Sequence, residues 1–505
     1  MSITVEMTNI NKVFPGVVAN DSVSLTLNSG QIIGIIGENG AGKTTLMNIL
    51  YGLYHPDSGQ IKINGREVKI SSPRSANELG IGMVHQHFRL VPSFTVLENI
   101  ILGLPTRRGF LDLKKAKKKL LELSEAYHLQ CLPEAVVHTL PVGMKQKVEI
   151  LKALYRGSDL LILDEPTGVL TPREIKDLFV VLKALKKEGK TIVLVTHKLG
   201  EIMVVTDRVV VMRKGRVVSE VATSETDDRS LARMMVGRDV AFNVRKDPME
   251  PGEVMLKIER LSAVNDWGIT AVDDVSFEIR RGEILGLAGV EGNGQSELID
   301  CLTGLRPARS GKITMGQVDV TGLNPKQIRE LSVSHIPEDR MIRGVNTAAS
   351  VWENLIANRC RYAPFSTKGF LNSRMVFEES QALIEHYHID TPSRDTKVSN
   401  LSGGNIQKLI IAREIHLEPG FIIIAHPSRG VDVGAIEFIH EKIMRLRRQG
   451  SAVLLVSSEL SELISLCDRI LVMYRGRFNG ECLPDQVSEK DLGVLIAGAN
   501  GGGHG

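Results

Sequence analysis

Ile32-Ile-Gly-Ile-Ile36-Gly37-Glu38-Asn39-Gly40-Ala41-Gly42-Lys43-Thr44-Thr45 is the stretch from which the fold unfolds. Five residues without a charge run into a glycine-rich turn that ends in Gly-Lys-Thr. A short apolar run bounded by a turn is the signature of a strand buried on both faces, as in a parallel sheet. The turn matches the GxxxxGK[ST] pattern in the strand–loop–helix setting that the pattern needs. Glycines let backbone N–H groups turn inward around phosphate oxygens, and a helix starting near Lys43 aims its N-terminus at them. Lys43 supplies a charge to the β- and γ-phosphates, and the Thr44 hydroxyl is a ligand for Mg²⁺. A chance glycine-rich turn is the bland alternative, and eight matched positions after a strand argue against it. The nucleotide-binding candidates here are Gly37, Glu38, Asn39, Gly40, Ala41, Gly42, Lys43, Thr44 and Thr45.

Further along, Leu160-Leu-Ile-Leu163-Asp164-Glu165-Pro166 is another apolar strand, ending in two carboxylates. Alone, such a pair is a solvated loop end. Downstream of a phosphate loop it takes on chemistry: Asp164 as an Mg²⁺ ligand through water, Glu165 as the base that polarises an attacking water. His197 ends the strand Thr191 to Thr196 and is a candidate to contact the γ-phosphate. A lone histidine is otherwise an ordinary surface or core residue. Gln86, in Met83-Val-His-Gln86-His-Phe88, follows a strand and is a candidate to touch both Mg²⁺ and a partner protein.

The chain repeats itself. Asp207-Arg-Val-Val-Val-Met-Arg-Lys-Gly215-Arg216 recurs as Asp468-Arg-Ile-Leu-Val-Met-Tyr-Arg-Gly476-Arg477, 261 residues on. Ser58-Gly-Gln-Ile recurs as Ser310-Gly-Lys-Ile, 252 residues on, so the second copy carries nine extra residues between these anchors. A period of half the chain means duplicated domains rather than a solenoid. Length alone, 505 residues at about 150 per domain, suggests about three domains. The repeat replaces that with two: residues 1–240 and 253–497, joined by a polar linker at 241–252 with Pro248 and Pro251 nearby, and followed by a glycine-rich tail at 498–505. Each half is α/β: a mainly parallel sheet, an antiparallel start and a helical insert, which spans about residues 95 to 140 in the first half.

Composition narrows the function classes. Lys plus Arg is 62 against 59 for Asp plus Glu, so no bulk charge calls for a nucleic acid. The run Lys114-Lys-Ala-Lys-Lys-Lys119 reads as one solvated helix face. No stretch holds the roughly 20 apolar residues of a spanning helix, and the N-terminus has no signal-peptide pattern. Five scattered cysteines without a CxxC pair argue against a zinc site or a disulfide framework and fit a reducing compartment. Phe14 and Trp267 are candidates to stack on a base, against the plainer role of packing.

Together these residues resemble the ATP-binding subunits of ABC transporters, over essentially the whole chain, twice. The fold implied is two tandem P-loop NTPase domains. The distinguishing signature loop reads Leu401-Ser402-Gly403-Gly404-Asn405-Ile-Gln407. In that family the signature of one half closes over nucleotide held by the other half, so Ser402, Gly403 and Gly404 join the implied site. The first half reads Leu140-Pro141-Val142-Gly143 instead. The second half has Gly289-Val-Glu-Gly-Asn-Gly-Gln295-Ser296 for its phosphate loop and Ala425-His426 for the carboxylates. Ser458 stands at the position of His197, and Glu338, in Pro337-Glu338-Asp339-Arg340, at that of Gln86.

Pairing the halves puts every intact element, Lys43, Asp164, Glu165, His197, Ser402 and Asp432, in one composite site. Every altered element, Gln295, Ala425, His426, Ser458, Pro141 and Thr171, falls in the other. Random decay would scatter lesions over both. The resemblance therefore implies one hydrolytic and one silent site, with ATP and Mg²⁺ as cofactors and Glu165 and His197 as catalytic residues. The implied Mg²⁺ contacts are Thr44, Gln86 and Asp164. It also implies two multispanning permease subunits, a substrate-binding lipoprotein, and a peripheral place on the cytoplasmic face of the membrane. Several stretches look like the nucleoside branch of importers, such as Gly82 to Phe88, Gly143 to Tyr155 and His426-Pro-Ser-Arg-Gly-Val-Asp432. The monosaccharide branch, which usually keeps an acidic pair where Ala425-His426 stands, is the alternative. A ribosome-associated twin ATPase tends to keep both sites and a long charged linker, and this chain has neither.

Overall fold

The computed structural model describes residues 3–85, 88–104, 112–127, 129–168, 170, 172–238, 246–290, 292–431 and 433–498. The chain divides into two compact units, 1–240 and 241–505. In the first, a six-stranded sheet runs Arg216–Ala222, Arg208–Arg213, Ile32–Ile36, Thr191–Val195, Leu160–Asp164, Ile81–Val84. Five of these strands are parallel, and Arg216–Ala222 is the antiparallel edge. The second unit repeats the order with Arg477–Cys482, Arg469–Tyr474, Ile284–Ala288, Ala452–Val456, Phe421–Ala425 and Val333–Ile336. Each unit also has a four-stranded antiparallel sheet built on its two long opening strands, Val5–Phe14 with Val17–Leu27 and Val254–Val264 with Thr270–Arg280.

The unbroken apolar strands follow from burial on both faces. In Phe421–Ala425 every residue is buried, and successive side chains go to different cores. Phe421, Ile423 and Ala425 pack with the antiparallel sheet, while Ile422 and Ile424 pack under the helices with Ile410 and Ile439. In the first unit Ile33, Ile35, Leu160 and Ile162 face the antiparallel sheet in the same way.

The repeated Asp-Arg motif has a structural reason. Asp207 closes the lower end of the central strand: Ile32 N–H donates to its Oδ2 at 2.9 Å, and its own N–H donates to Ile32 O at 2.8 Å. Asp468 does the same for Ile284, at 2.9 and 2.8 Å. The hairpins that follow turn on Lys214-Gly215 and Arg475-Gly476, all four at positive φ, as a two-residue hairpin turn demands.

The helical insert comprises Val96–Ile101 and Leu113–Ala126. Lys114, Lys115, Lys118 and Lys119 lie on its exposed side, as a solvated face requires. Lys119 also donates to Tyr155 O at 2.8 Å and sits 4.2 Å over that ring. In the second unit the nine extra residues enter in steps. The helices capped by Thr95 and Ser350 stand 255 apart, so three residues enter just after the Glu338 position. Others make the hairpin Ser366–Thr367 with Phe370–Leu371. The expected linker is not loose at its described end: Arg447 donates to Asp247 O at 3.0 Å, and Lys246 pairs with Asp468 at 3.4 Å. None of the five cysteines is in a disulfide, and no described helix is long and apolar enough to cross a membrane.

Candidate active site

The described candidates Lys43, Thr44, Asp164, Glu165 and His197 lie at one edge of the first unit's sheet because the strands are parallel. Their C-terminal ends line up, where ligands bind in open α/β sheets. The loop after Ile32–Ile36 leads into the helix Lys43–Leu50. Its N-cap, Gly42, has φ 94°, and a Cβ there would lie 2.2 Å from Ala19 O, so glycine is required on both counts. Lys43 is buried, and its ammonium donates to Gly37 O at 2.7 Å and Glu38 O at 2.9 Å. The side chain thus spans the inside of the loop whose N–H groups are the candidates to hold phosphate.

One strand separates the phosphate loop from Leu160–Asp164, and the gap is bridged by side chains. Thr44 Oγ1 donates to Asp164 Oδ1 at 3.2 Å. Asp164 is 4% exposed. Burial pushes its carboxyl up to about 6, against the opposing bond from Thr44. A buried carboxylate beside a threonine hydroxyl is a fitting donor pair for a hard divalent cation. Glu165 follows in the left-handed region at φ 47°, its N–H held by Val195 O at 2.8 Å. That turn swings its side chain toward His197, whose Nδ1 lies 2.9 Å from Glu165 Oε1. The bond from His197 is the largest of the influences that hold the Glu165 carboxyl below its ordinary range. Glu165 is thus ionised at neutral pH and oriented by an imidazole, which suits it to accept a hydrogen bond from water. His197, the candidate contact for the γ-phosphate, bonds Glu165 through Nδ1.

The second unit keeps this backbone and changes the chemistry. Gly294 caps the helix Gln295–Leu302 at φ 106°, and His426 has the same φ of 47° as Glu165, with its N–H on Val456 O at 2.7 Å. The imidazole of His426 has other neighbours than the Glu165 carboxylate. Ser458 N–H donates to its Nδ1 at 3.3 Å, which leaves the ring proton on Nε2, 3.9 Å from Glu338. Arg429 pairs with the same Glu338 Oε1 at 2.6 Å. Gly289, Gln295, Ser296, Glu338 and His426 line one small cavity.

The two signature segments also differ. Ser402 caps the helix Gly403–Ile415, with the third helical residue, Asn405, donating its N–H to Oγ at 3.4 Å. Pro141 caps Val142–Tyr155 with no side-chain bond. There the Glu174 carboxylate takes the space beside the helix start: a Cβ on Gly143 would lie 2.2 Å from its Oε1. Ala435 is the second-unit counterpart of Glu174, 261 residues on. Glu174 was not singled out by sequence, since an acid in the first turn of a helix is unremarkable until the neighbouring helix is placed beside it. Gln86, Thr171 and Asp432 lie outside the described residues. Phe14 packs edge-on against Tyr54 with centroids 5.4 Å apart, and Trp267 is 84% exposed at a hairpin tip.

A family model described as ABC transporter matches residues 20–168 and 272–428, both spans containing the phosphate-loop and carboxylate-strand positions. This chain belongs to the ABC transporter family. Among its relatives, the guanosine import ATP-binding protein NupO of Bacillus subtilis (strain 168) is 48% identical, over 99% of this chain and 98% of its own. The nucleoside import ATP-binding protein NupA of Lactococcus lactis subsp. cremoris (strain MG1363) is 46% identical, over 98% of each. The glucose import ATP-binding protein TsgD13 of Haloferax volcanii is 43% identical, over 97% of this chain and 95% of its own. The ABC character rests on motifs in both units, which is why two spans match and not one.

Proposed function

We propose that this chain is the ATP-hydrolysing subunit of an ABC importer for nucleosides, with one hydrolytic and one silent composite site. The observation that carries the ATPase reading is the Thr44–Asp164 and Glu165–His197 pairing in one unit, set against Gln295, Ala425 and His426 in the other. The substrate class rests on the nucleoside and guanosine importers among its relatives.

On this reading Lys43 leaves the Gly37 and Glu38 carbonyls for the phosphates of ATP. Thr44 and Asp164, with Gln86, would hold Mg²⁺. Bound Mg²⁺ would neutralise charge shared between the β- and γ-phosphates. Glu165 accepts a hydrogen bond from the attacking water, and His197 keeps that carboxylate turned toward it. Ser402, Gly403 and Gly404 of the second unit present a helix N-terminus to the γ-phosphate, where it favours an anion. Closure of the halves over ATP and their parting after hydrolysis drive two multispanning permease subunits between inward- and outward-facing states. A substrate-binding lipoprotein delivers the cargo, and the chain works at the cytoplasmic face of the membrane.

Uptake of radiolabelled nucleosides and monosaccharides by cells with and without this chain tests the substrate. Loss of nucleoside uptake alone is the expected result. The second reading, a monosaccharide importer, is favoured by the similarity to a glucose import ATP-binding protein, and loss of sugar uptake alone would establish it. A chain that copurifies with ribosomes and with no membrane protein would overturn both.

A further inference from the structure

We infer that Arg340 is a positioning residue for hydrolysis: it sets the signature backbone at Gly403 against the segment Arg429–Gly430. This rests on the reading that Ser402 to Gly404 completes the hydrolytic site.

The geometry lies wholly within the second unit. The Arg340 guanidinium donates to Arg429 O at 3.1 Å through Nη1 and to Gly430 O at 2.9 Å through Nη2. The same Nη2 lies 2.9 Å from where a Cβ on Gly403 would be. One rigid, planar group therefore touches two segments that are far apart in sequence: the start of the signature helix, and the loop that leads to Asp432. A guanidinium suits this task because its donors are fixed in a fork, so two carbonyls are held at a set spacing.

Arg340 is itself held at both ends of its turn. Asp339 accepts from the N–H groups of Met341 and Ile342, at 2.9 Å each. Arg343 pairs with the buried Asp300 at 2.6 Å, on the helix behind the altered phosphate loop. The segment Arg340–Gly344 is a π-helical turn, lying where the second copy has its first three extra residues. The matching segment of the first unit is three residues shorter. The fork lies in the unit whose signature is intact, and Glu338, which pairs with Arg429, leads directly into it. Arg340 makes no contact with nucleotide on this account, and acts through Gly403.

Steady-state hydrolysis by the full-length chain, with equilibrium binding of ATP to the same variants, tests this. Arg340→Ala is expected to lower kcat by about tenfold or more, while ATP affinity and the melting temperature hold close to the parent's. Arg340→Lys should recover part of the loss, since one ammonium reaches one carbonyl but cannot bridge both. Gly403→Ala should cost less in the Arg340→Ala background than alone, because its new methyl no longer meets the guanidinium. An unchanged kcat in Arg340→Ala, beside a Ser402→Ala that loses turnover, overturns the proposal and leaves the composite site standing. Parallel losses of melting temperature and ATP affinity overturn it as well, by making the role a general structural one. A Ser402→Ala that turns over normally overturns the composite site, and the role of Arg340 with it.

Discussion

Glu165 and His426 share one backbone geometry, φ 47° after a buried strand, and differ only in what that geometry presents. At the residue scale this difference separates the site proposed to hydrolyse ATP from the one proposed to be silent. Removing a general base costs about 10²–10⁴-fold, so Glu165→Gln should lose turnover by that factor while still binding ATP. His426→Ala should leave turnover within about twofold, because its Nδ1 is taken up by Ser458 N–H and its neighbour at the Asp164 position is Ala425. Equal losses in a phosphate-release assay would contradict a single active site. Gly42→Ala is a second residue-scale prediction. Its φ of 94° and the Ala19 carbonyl 2.2 Å from the new methyl leave the loop no local relief. Binding of a fluorescent ATP analogue should be lost, with the second unit's fold unaffected.

At the scale of elements, the strand Val333–Ile336 carries a difference that hydrolysis does not explain. His335 stands where Met83 stands in the first unit, 252 residues apart. Its Nε2 is buried without a hydrogen-bond partner. Burial pushes the imidazole down to about 4, against Glu414 and Asp300 and with Arg329 and Arg343 nearby. Between its ordinary 6.5 and about 4 the folded state therefore binds fewer protons here than the unfolded state. Stability rises with pH through that window, and is lost as pH falls below 6.5. About 1 kcal/mol is gone by pH 5.5, toward a limit on the order of 3 kcal/mol. His335→Met should flatten the fall in melting temperature between pH 7.5 and 5.5; an identical fall in both proteins would contradict the assignment. The signature helices make a second contrast. Pro141→Ser restores the hydroxyl of the first one but leaves Glu174 against Gly143. It should not revive hydrolysis in a Glu165→Gln background.

For the whole molecule, two units of one plan should give one occluded nucleotide per chain. Trapping labelled ATP on Glu165→Gln and counting the retained label is the check, and two per chain would mean that the second phosphate loop also closes. Much of this architecture was legible in the sequence. The strand-loop-helix at Ile32 to Thr45, the Asp-Arg repeat and the altered second set of motifs each depend on neighbours in the chain. Local order of residue types is enough to specify them.

What the sequence determined by itself was the kind of machine: two copies of an α/β plan, with the chemistry intact in one set of motifs and altered in the other. What only the tertiary structure decided were pairings between residues remote in the chain. His197 turned to Glu165, the Glu174 carboxylate lay against Gly143, and the Arg340 guanidinium lay beside Gly403 while bonded to Gly430 O. The physical reason is that strand order is not chain order. Ile32–Ile36 lies between strands that begin at Thr191 and Arg208, so side chains meet across a sheet edge at separations no local pattern encodes.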